Sequence, residues 1–300
     1  MKTYRLYQVD SFTKQKFTGN PAGVVSNAGG LSESQMLQIA REMNNSETAF
    51  IFKSDCPDYD VEVRFFTPTM EVPICGHATV AAHYVYANEN NIKSGRMVQK
   101  TKAGILPVDI KDDNGCKTVT MTQGEISISE PFDSEITLDI MQALGITDAD
   151  RDKRCPVCIA STGYGKVMVA INSDDLLHSL KPDMNKLIEI SRKINCNGYY
   201  VFTLNPDREQ LAHGRMFAPI SGLNEDPVTG NANGPLGAYL VHNNLYQNEN
   251  EDKFSFKIKQ GEAMGRPGTM TVTVYKNENK PVLVQITGDA VVAFSTEITI

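Results

Sequence analysis

A carboxylate at the edge of an apolar strand is well placed to move a proton. Glu47 follows Ser46 and leads into Thr48-Ala49-Phe50-Ile51-Phe52, and apolar surroundings raise a carboxyl's pKa toward the range of a general base. The alternative for Glu47 is a salt-bridged surface residue. His77 stands in Cys75-Gly76-His77-Ala78, where an imidazole can act as an acid or orient a substrate, or simply satisfy the structure around it. Asp226, in Glu225-Asp226-Pro227-Val228-Thr229-Gly230, offers a second carboxyl, although Asp-Pro also initiates turns. His83 and His242 read as packing or surface residues. No HxH or HExxH spacing suggests a metal, so no metal ligands are expected. Phosphate loops of the GxGxxG or GxxxxGK[ST] type and a GxSxG elbow are absent from the sequence. Cys155-Pro-Val-Cys158 has a CxxC spacing but no second Cys/His pair nearby, and reads as ordinary cysteines at the start of a strand.

Two of these residues sit in a stretch that the chain carries twice. Arg64-Phe65-Phe66-Thr67-Pro68 leads to Cys75-Gly76-His77-Ala78, and Arg215-Met216-Phe217-Ala218-Pro219 leads to Thr229-Gly230-Asn231-Ala232. The Arg-x-Phe-x-Pro parts lie 151 positions apart and the Gly-x-Ala parts 154 apart, which requires a three-residue insertion in the second copy. Asp226 is expected to fall in that inserted turn. Arg41 and Asn44 match Arg192 and Asn195 at the same spacing of 151, and Gly198 is the counterpart of Glu47. Gene duplication is the economical account. A Gly-x-Ala turn that opens a buried helix presents backbone N–H groups at the positive end of the helix dipole, an anion site that needs no side-chain charge. Two such turns brought together by pseudo-twofold symmetry would grip one carboxylate between two lobes.

The elements that must position these groups follow from periodicity and punctuation. Tyr4 to Val9 alternates as a strand. Ser32-x-x-Gln35 is a capping box opening a helix whose apolar positions are Met36, Leu37, Ile39, Ala40 and Met43, and Asn44-Asn45 ends it. Strands are expected over 49–52 and 61–66. The run ATVAAHYVYA, from Ala78, reads as a helix apolar on all sides and therefore buried. Strands follow over 98–101, 105–110 and 117–122, with a hairpin at Asp113-Asn114-Gly115. Residues 124–135 read as a polar crossing between lobes. In the second half, Ile136–Ala143 reads as a short helix, 163–171 contains a strand, and Pro182-Asp183 precedes a helix with Leu187, Ile190 and Ile194. A further strand covers 197–202. The helix ANGPLGAYLV tolerates Pro235 because it lies in the first turn. Strands at 254–259, 270–275 and 282–286 complete the half.

The 300 residues suffice for two ordinary domains. At 41% hydrophobic and 22% charged residues, with a net charge of −7 and no basic block, the chain is expected to be a globular protein that binds no nucleic acid. Neither a signal peptide nor a membrane-spanning run is expected. Six cysteines without an export signal point to reduced thiols and the cytoplasm.

Taken together, Gly19-Asn20-Pro21, Ser46-Glu47-Thr48, Val72-Pro73-x-Cys75-Gly76-His77-Ala78-Thr79 and Glu225-Asp226-Pro227-Val228-Thr229-Gly230-Asn231-Ala232 resemble the PhzF-like family of the diaminopimelate epimerase-like fold. The resemblance runs over essentially the whole chain. It implies an α+β fold of two pseudo-symmetric lobes, each a curved, mostly antiparallel sheet around a central helix. Residues 1–125 and 287–300 would form the N-terminal lobe and 126–286 the C-terminal lobe, with a last strand over 288–300 returning to the first. It further implies a cofactor-independent isomerase, often a homodimer, acting on a small carboxylate-bearing substrate. Glu47 would be the general base, His77 and Asp226 its assistants. Asn20 and the backbone at Gly76, His77, Gly230 and Asn231 would bind the substrate, Asn231 standing where the phenazine enzyme has serine. The epimerase branch faces two cysteines across its substrate. Here Cys75 holds the first such position and Thr229 the second, and a hydroxyl cannot serve as the opposing base. An amino-acid epimerase using Glu47 with Cys75, or a non-catalytic binder of small acids, are the alternatives.

Overall fold

The computed structural model describes residues 1–205, 209–246 and 252–300. The chain divides into two compact units, 1–122 with 287–300 and 123–286. In the first, β1 (Thr3–Ser11) and β2 (Asn20–Val25) precede α1 (Glu33–Met43), which is followed by β3 (Thr48–Lys53), β4 (Val61–Phe66) and β5 (Glu71–Val72). Helix α2 (Gly76–Glu89) then leads to β6 (Gly95–Thr101), β7 (Gly104–Asp113) and β8 (Cys116–Thr122). The second unit holds β9 (Ile126–Ile128), α3 (Ser134–Leu144), β10 (Cys158–Thr162), β11 (Lys166–Ala170), α4 (Asp174–Ser179) and α5 (Met184–Ile194). It continues with β12 (Tyr199–Leu204), β13 (Gln210–Ala218), β14 (Leu223–Asp226), α6 (Gly230–His242), β15 (Lys253–Gln260) and β16 (Gly268–Asn277). The final strand, β17 (Lys280–Thr299), begins in the second unit and ends in the first.

The first unit is a sheet wrapped around one helix. β1 pairs antiparallel with both β2 and the end of β17, β2 runs parallel to β3, and β3 pairs antiparallel with β4. β4 runs parallel to β6, antiparallel pairing continues through β7 to β8, and β8 pairs with β17, which closes the circuit. Helix α2 packs against β1, β2, β3, β4, β7 and β8. Its residues from His77 to Val85 are buried on every side except at Tyr84, as expected of a helix with no polar face. In the second unit, α6 takes the corresponding place against β9, β10, β11 and β16. Gly237 makes that approach possible, since a Cβ there would lie 2.6 Å from Val272 Cγ1 and 2.8 Å from Val274 Cγ2.

Local signals were followed closely. Ser32 Oγ accepts from the Gln35 N–H while Gln35 Oε1 accepts from the Ser32 N–H, a complete capping box. Asn44 and Asn195 both end their helices in the left-handed conformation, at φ 50° and 51°. The structure adds strands β5, β13 and β14 where no element was expected, and it differs in further places. Strand β9 lies in the segment read as a crossing, α4 lies where no element was expected, and 282–286 and 288–300 belong to one 20-residue strand rather than two. Gly288 punctuates that strand without ending it. A Cβ there would sit 2.3 Å from Phe12 Cδ1, so the glycine marks a close approach rather than a turn.

His83 lies inside the first unit, 1% exposed, with Nε2 3.0 Å from Gln99 Oε1. Burial pulls its pKa down to about 4, against the opposing Gln99 hydrogen bond and Asp60 charge. A folded-state pKa below the unfolded value of about 6.5 means stability is full above that pH and is lost as pH falls toward 4. The loss across that window is expected to reach about 3 kcal/mol. Urea titrations at pH 7, 6, 5 and 4 should show a steeper decline in the native protein than in His83→Met.

Candidate active site

Glu47 is held at the junction between α1 and β3. The left-handed Asn44 stops the helix, and the side-chain amides of Asn45 and Gln8 exchange two hydrogen bonds of 2.9 Å that fix the following turn. The Glu47 carbonyl accepts from the Gly23 N–H at 3.2 Å, which ties the residue to β2. Its half-buried carboxylate faces the N-terminus of α2, with Oε2 3.4 Å from His77 Nε2. The Ser46 hydroxyl lies 3.3 Å from the same nitrogen, and Cys75 Sγ lies 3.4 Å from Nδ1 and 3.9 Å from Nε2. His77 itself is anchored through its backbone, because the Ser11 hydroxyl donates to its carbonyl at 2.8 Å. Asn20 is buried and sits opposite Ser11 in the β1–β2 register. The first unit thus gathers Glu47, His77, Gly76 and Asn20, with Cys75 added. The carboxylate–imidazole contact is long for a hydrogen bond, so neither partner is tightly committed to the other.

The N-terminus of α2 is chemically distinctive. Helices α1, α3, α4 and α5 are each capped by a side chain, from Ser32, Asp133, Ser173 and Asp183. Neither Cys75 before α2 nor Thr229 before α6 supplies a side-chain cap. First-turn N–H groups left in this way suit an anionic group.

In the second unit, Asp226 ends β14 and Gly230 and Asn231 open α6. The Thr229 hydroxyl donates to Asp226 Oδ2 and accepts from Gln260 Nε2 at 3.1 Å. Gln260 also donates to the Asp226 carbonyl at 2.7 Å and accepts from the Thr229 N–H at 3.1 Å. The turn is therefore built by a glutamine 34 positions away, for which the sequence carries no local signal. Asp226 does not fall in an inserted turn. Met216 faces Asp226 as Phe65 faces Val72, so Asp226 is the counterpart of Val72, and the extra residues lie in the 3-10 turn Pro219–Ser221 and Gly222.

The repeat also carries a matched pair of supports. Arg64 grips Glu71 with two bonds of 2.7 Å, and Arg215 grips Glu225 with two of 2.8 Å. The guanidinium carbons lie 5.2 and 4.9 Å from the ring centroids of Phe66 and Phe217. Each fork fixes the short strand that leads into the central helix. The repeat breaks where Glu47 corresponds to Gly198. A Cβ on Gly198 would meet Lys166 Cδ at 2.8 Å, so a lysine stem from β11 fills the space that a side chain would need. Lys166 is buried, its ammonium donates to Asn197 Oδ1 at 3.0 Å, and burial lowers its pKa against the nearby Cys196 and Asp226.

Cys155 and Cys158 are free, buried thiols whose pKa burial pushes up to about 12, the opposite of a reactive CxxC pair. Among the described residues no helix is long and apolar enough to cross a membrane.

Comparison with known proteins agrees with this architecture. The family model of phenazine biosynthesis-like proteins (PhzC-PhzF) matches residues 9–296. An uncharacterised isomerase of Clostridium acetobutylicum is 54% identical over 301 residues, covering 100% of this chain and 99% of that one. The trans-2,3-dihydro-3-hydroxyanthranilate isomerase of Pseudomonas chlororaphis is 28% identical, covering 94% of this chain and 95% of its own. A crystal structure of a PhzF-family phenazine biosynthesis protein from Bacillus anthracis superposes with a TM-score of 0.88 at 31% identity, covering 100% of both chains. The fold is the diaminopimelate epimerase-like one that the motifs imply. With its whole length matched and its relatives isomerases, the chain belongs to the phenazine biosynthesis-like (PhzC-PhzF) family and is an isomerase.

Proposed function

We propose that this isomerase moves a carbon-bound proton on a small, cyclic or unsaturated carboxylate-bearing metabolite, with Glu47 as the general base. The observation that carries the reading is the Glu47 carboxylate 3.4 Å from His77 Nε2 at a helix N-terminus without a side-chain cap. Glu47 takes a proton from one carbon, the electron pair delocalises toward the substrate's unsaturated system, and Glu47 returns the proton to a second carbon. No proton or electron is gained overall. His77 and Asp226 assist the transfer, Asn20 helps to hold the substrate, and backbone N–H groups at Gly76, His77, Gly230 and Asn231 bind its carboxylate. The name of the Pseudomonas chlororaphis relative supports a small ring acid as the substrate class.

The contact of Cys75 Sγ with His77 Nδ1 at 3.4 Å favours a second reading, epimerisation with Cys75 as partner to Glu47. One experiment separates the two readings. The enzyme is incubated with a pool of small metabolic acids in D2O, and labelled products are identified by mass spectrometry and NMR. Deuterium at a new C–H position, with the double bond moved, supports the proton shift. Deuterium at an unchanged carbon with inverted configuration supports epimerisation and overturns the first reading.

A further inference from the structure

The second unit holds a group of metal-ligating side chains that the proposed chemistry does not use. Glu262 Oε2 lies 2.6 Å from His213 Nδ1 and 3.3 Å from His178 Nε2. The three donor atoms all lie within 4.8 Å of one another. They come from three separate elements, α4, β13 and the 3-10 turn Glu262–Met264. With residues at 178, 213 and 262, no short sequence motif could reveal them.

Each ligand is held from outside the cluster. Arg215 donates to the carbonyls of Leu177 and Leu180, both at 2.9 Å, which locks the backbone on either side of His178. His213 projects from the buried strand β13 and is 8% exposed. Glu262 follows Gly261, whose left-handed φ of 88° allows the chain to pass Pro227 and Arg266, where a Cβ would lie 2.7 Å and 2.3 Å from their carbonyl oxygens. Burial raises the Glu262 pKa, and the His213 and Lys259 hydrogen bonds override it and bring it down to about 2. The half-exposed His178 gives an ion a path from solvent.

We propose that His178, His213 and Glu262 form a binding site for a divalent cation of the zinc class. Two imidazoles and one carboxylate are a recurrent ligand set for such ions, with water as the fourth ligand. Donor atoms about 2.0 to 2.2 Å from a tetrahedral ion stand roughly 3.3 Å apart. The Glu262–His178 spacing already fits, and the Glu262–His213 pair, now 2.6 Å apart, opens by about 0.7 Å when the ion replaces the shared proton. Lys259 Nζ, 2.8 Å from Glu262 Oε1, is the charge that opposes the ion. Through Gly261 and Gln260, an ion here would brace the Asp226–Thr229 turn.

The probe is Co(II), added to chelator-treated full-length protein and followed by its visible d–d absorption, with Zn(II) as competitor. Saturation at one equivalent without a thiolate charge-transfer band is expected, and a thiolate band instead would assign the ion to a cysteine and overturn the proposal. His178→Ala, which leaves the core intact, should weaken binding at least about tenfold, and Glu262→Gln similarly. Lys259→Gln should tighten it several-fold, an effect that a loss of folding cannot imitate. Zn(II) should raise the thermal midpoint of the native protein and not of His178→Ala. Absence of a cobalt spectrum at millimolar Co(II), or an unchanged spectrum in His178→Ala/His213→Ala, overturns the site.

Discussion

Glu47→Gln is expected to lower kcat on the native substrate by about 10²- to 10⁴-fold, the range of a general base. The substitution keeps the size of the side chain and a hydrogen-bond acceptor toward His77, and removes only the ability to accept a carbon-bound proton. KM should change little, since the groups proposed to hold the carboxylate are backbone N–H groups and Asn20. Deuterium incorporation from D2O should fall in parallel with turnover. A variant that retained full turnover would rule out Glu47 as the base. Cys75→Ser serves as the companion measurement. In a single-base proton shift it leaves kcat within a few-fold of native, whereas in the epimerase reading it falls as steeply as Glu47→Gln.

Arg215→Met should be the most damaging single change to stability, at about 3 to 5 kcal/mol, the usual cost of breaking a buried ion pair from one side. The side chain is 8% exposed and its partner Glu225 15% exposed. Methionine replaces the stem but leaves a buried carboxylate and the Leu177 and Leu180 carbonyls without their donor. Adding Glu225→Leu should recover part of the loss, because the uncompensated charge goes with it. Urea unfolding of the single and double variants measures both. The exposed pair Arg96–Asp109, at 62% and 35%, has similar geometry and should show no resolvable change on Arg96→Met. Glu225 adjoins Asp226, so the Arg215 variant should lose activity as well.

What the sequence made legible was local or repeated. The Ser32 capping box and the Asn44 stop are decided within four residues, and the two central helices stood out because small apolar residues run all the way round them. The pairing of Glu47 with His77 across 30 positions was reachable only through the resemblance. Helix α4 stayed hidden because it is six residues long with one buried apolar side chain, Leu177, which leaves no periodicity to detect. Strand β9 was masked by its polar flanks. Ser11, Gln260 and Lys166 act through partners 66, 34 and 31 positions away, and nothing in their own neighbourhoods marks them. The misplacement of Asp226 has the same origin. An offset of 154 locates the insertion only between Pro219 and Gly230, and the β13–β14 register is needed to put it before Glu225.

The continuous strand β17 has a consequence for how the protein is made. β1 pairs with its far end, Thr3 opposite Thr299 and Ser11 opposite Ala290. The residues of β1 therefore wait for partners that leave the ribosome almost 300 positions after them. During synthesis β1 has β2 on one side and an unpaired edge on the other, while the whole of 123–286 can emerge and fold. Such long-range pairing slows folding and exposes a strand edge to other chains. The unit that carries Glu47 and His77 is thus the last to close, and a nascent chain halted before β17 would hold both residues in a sheet still open along β1 and β8.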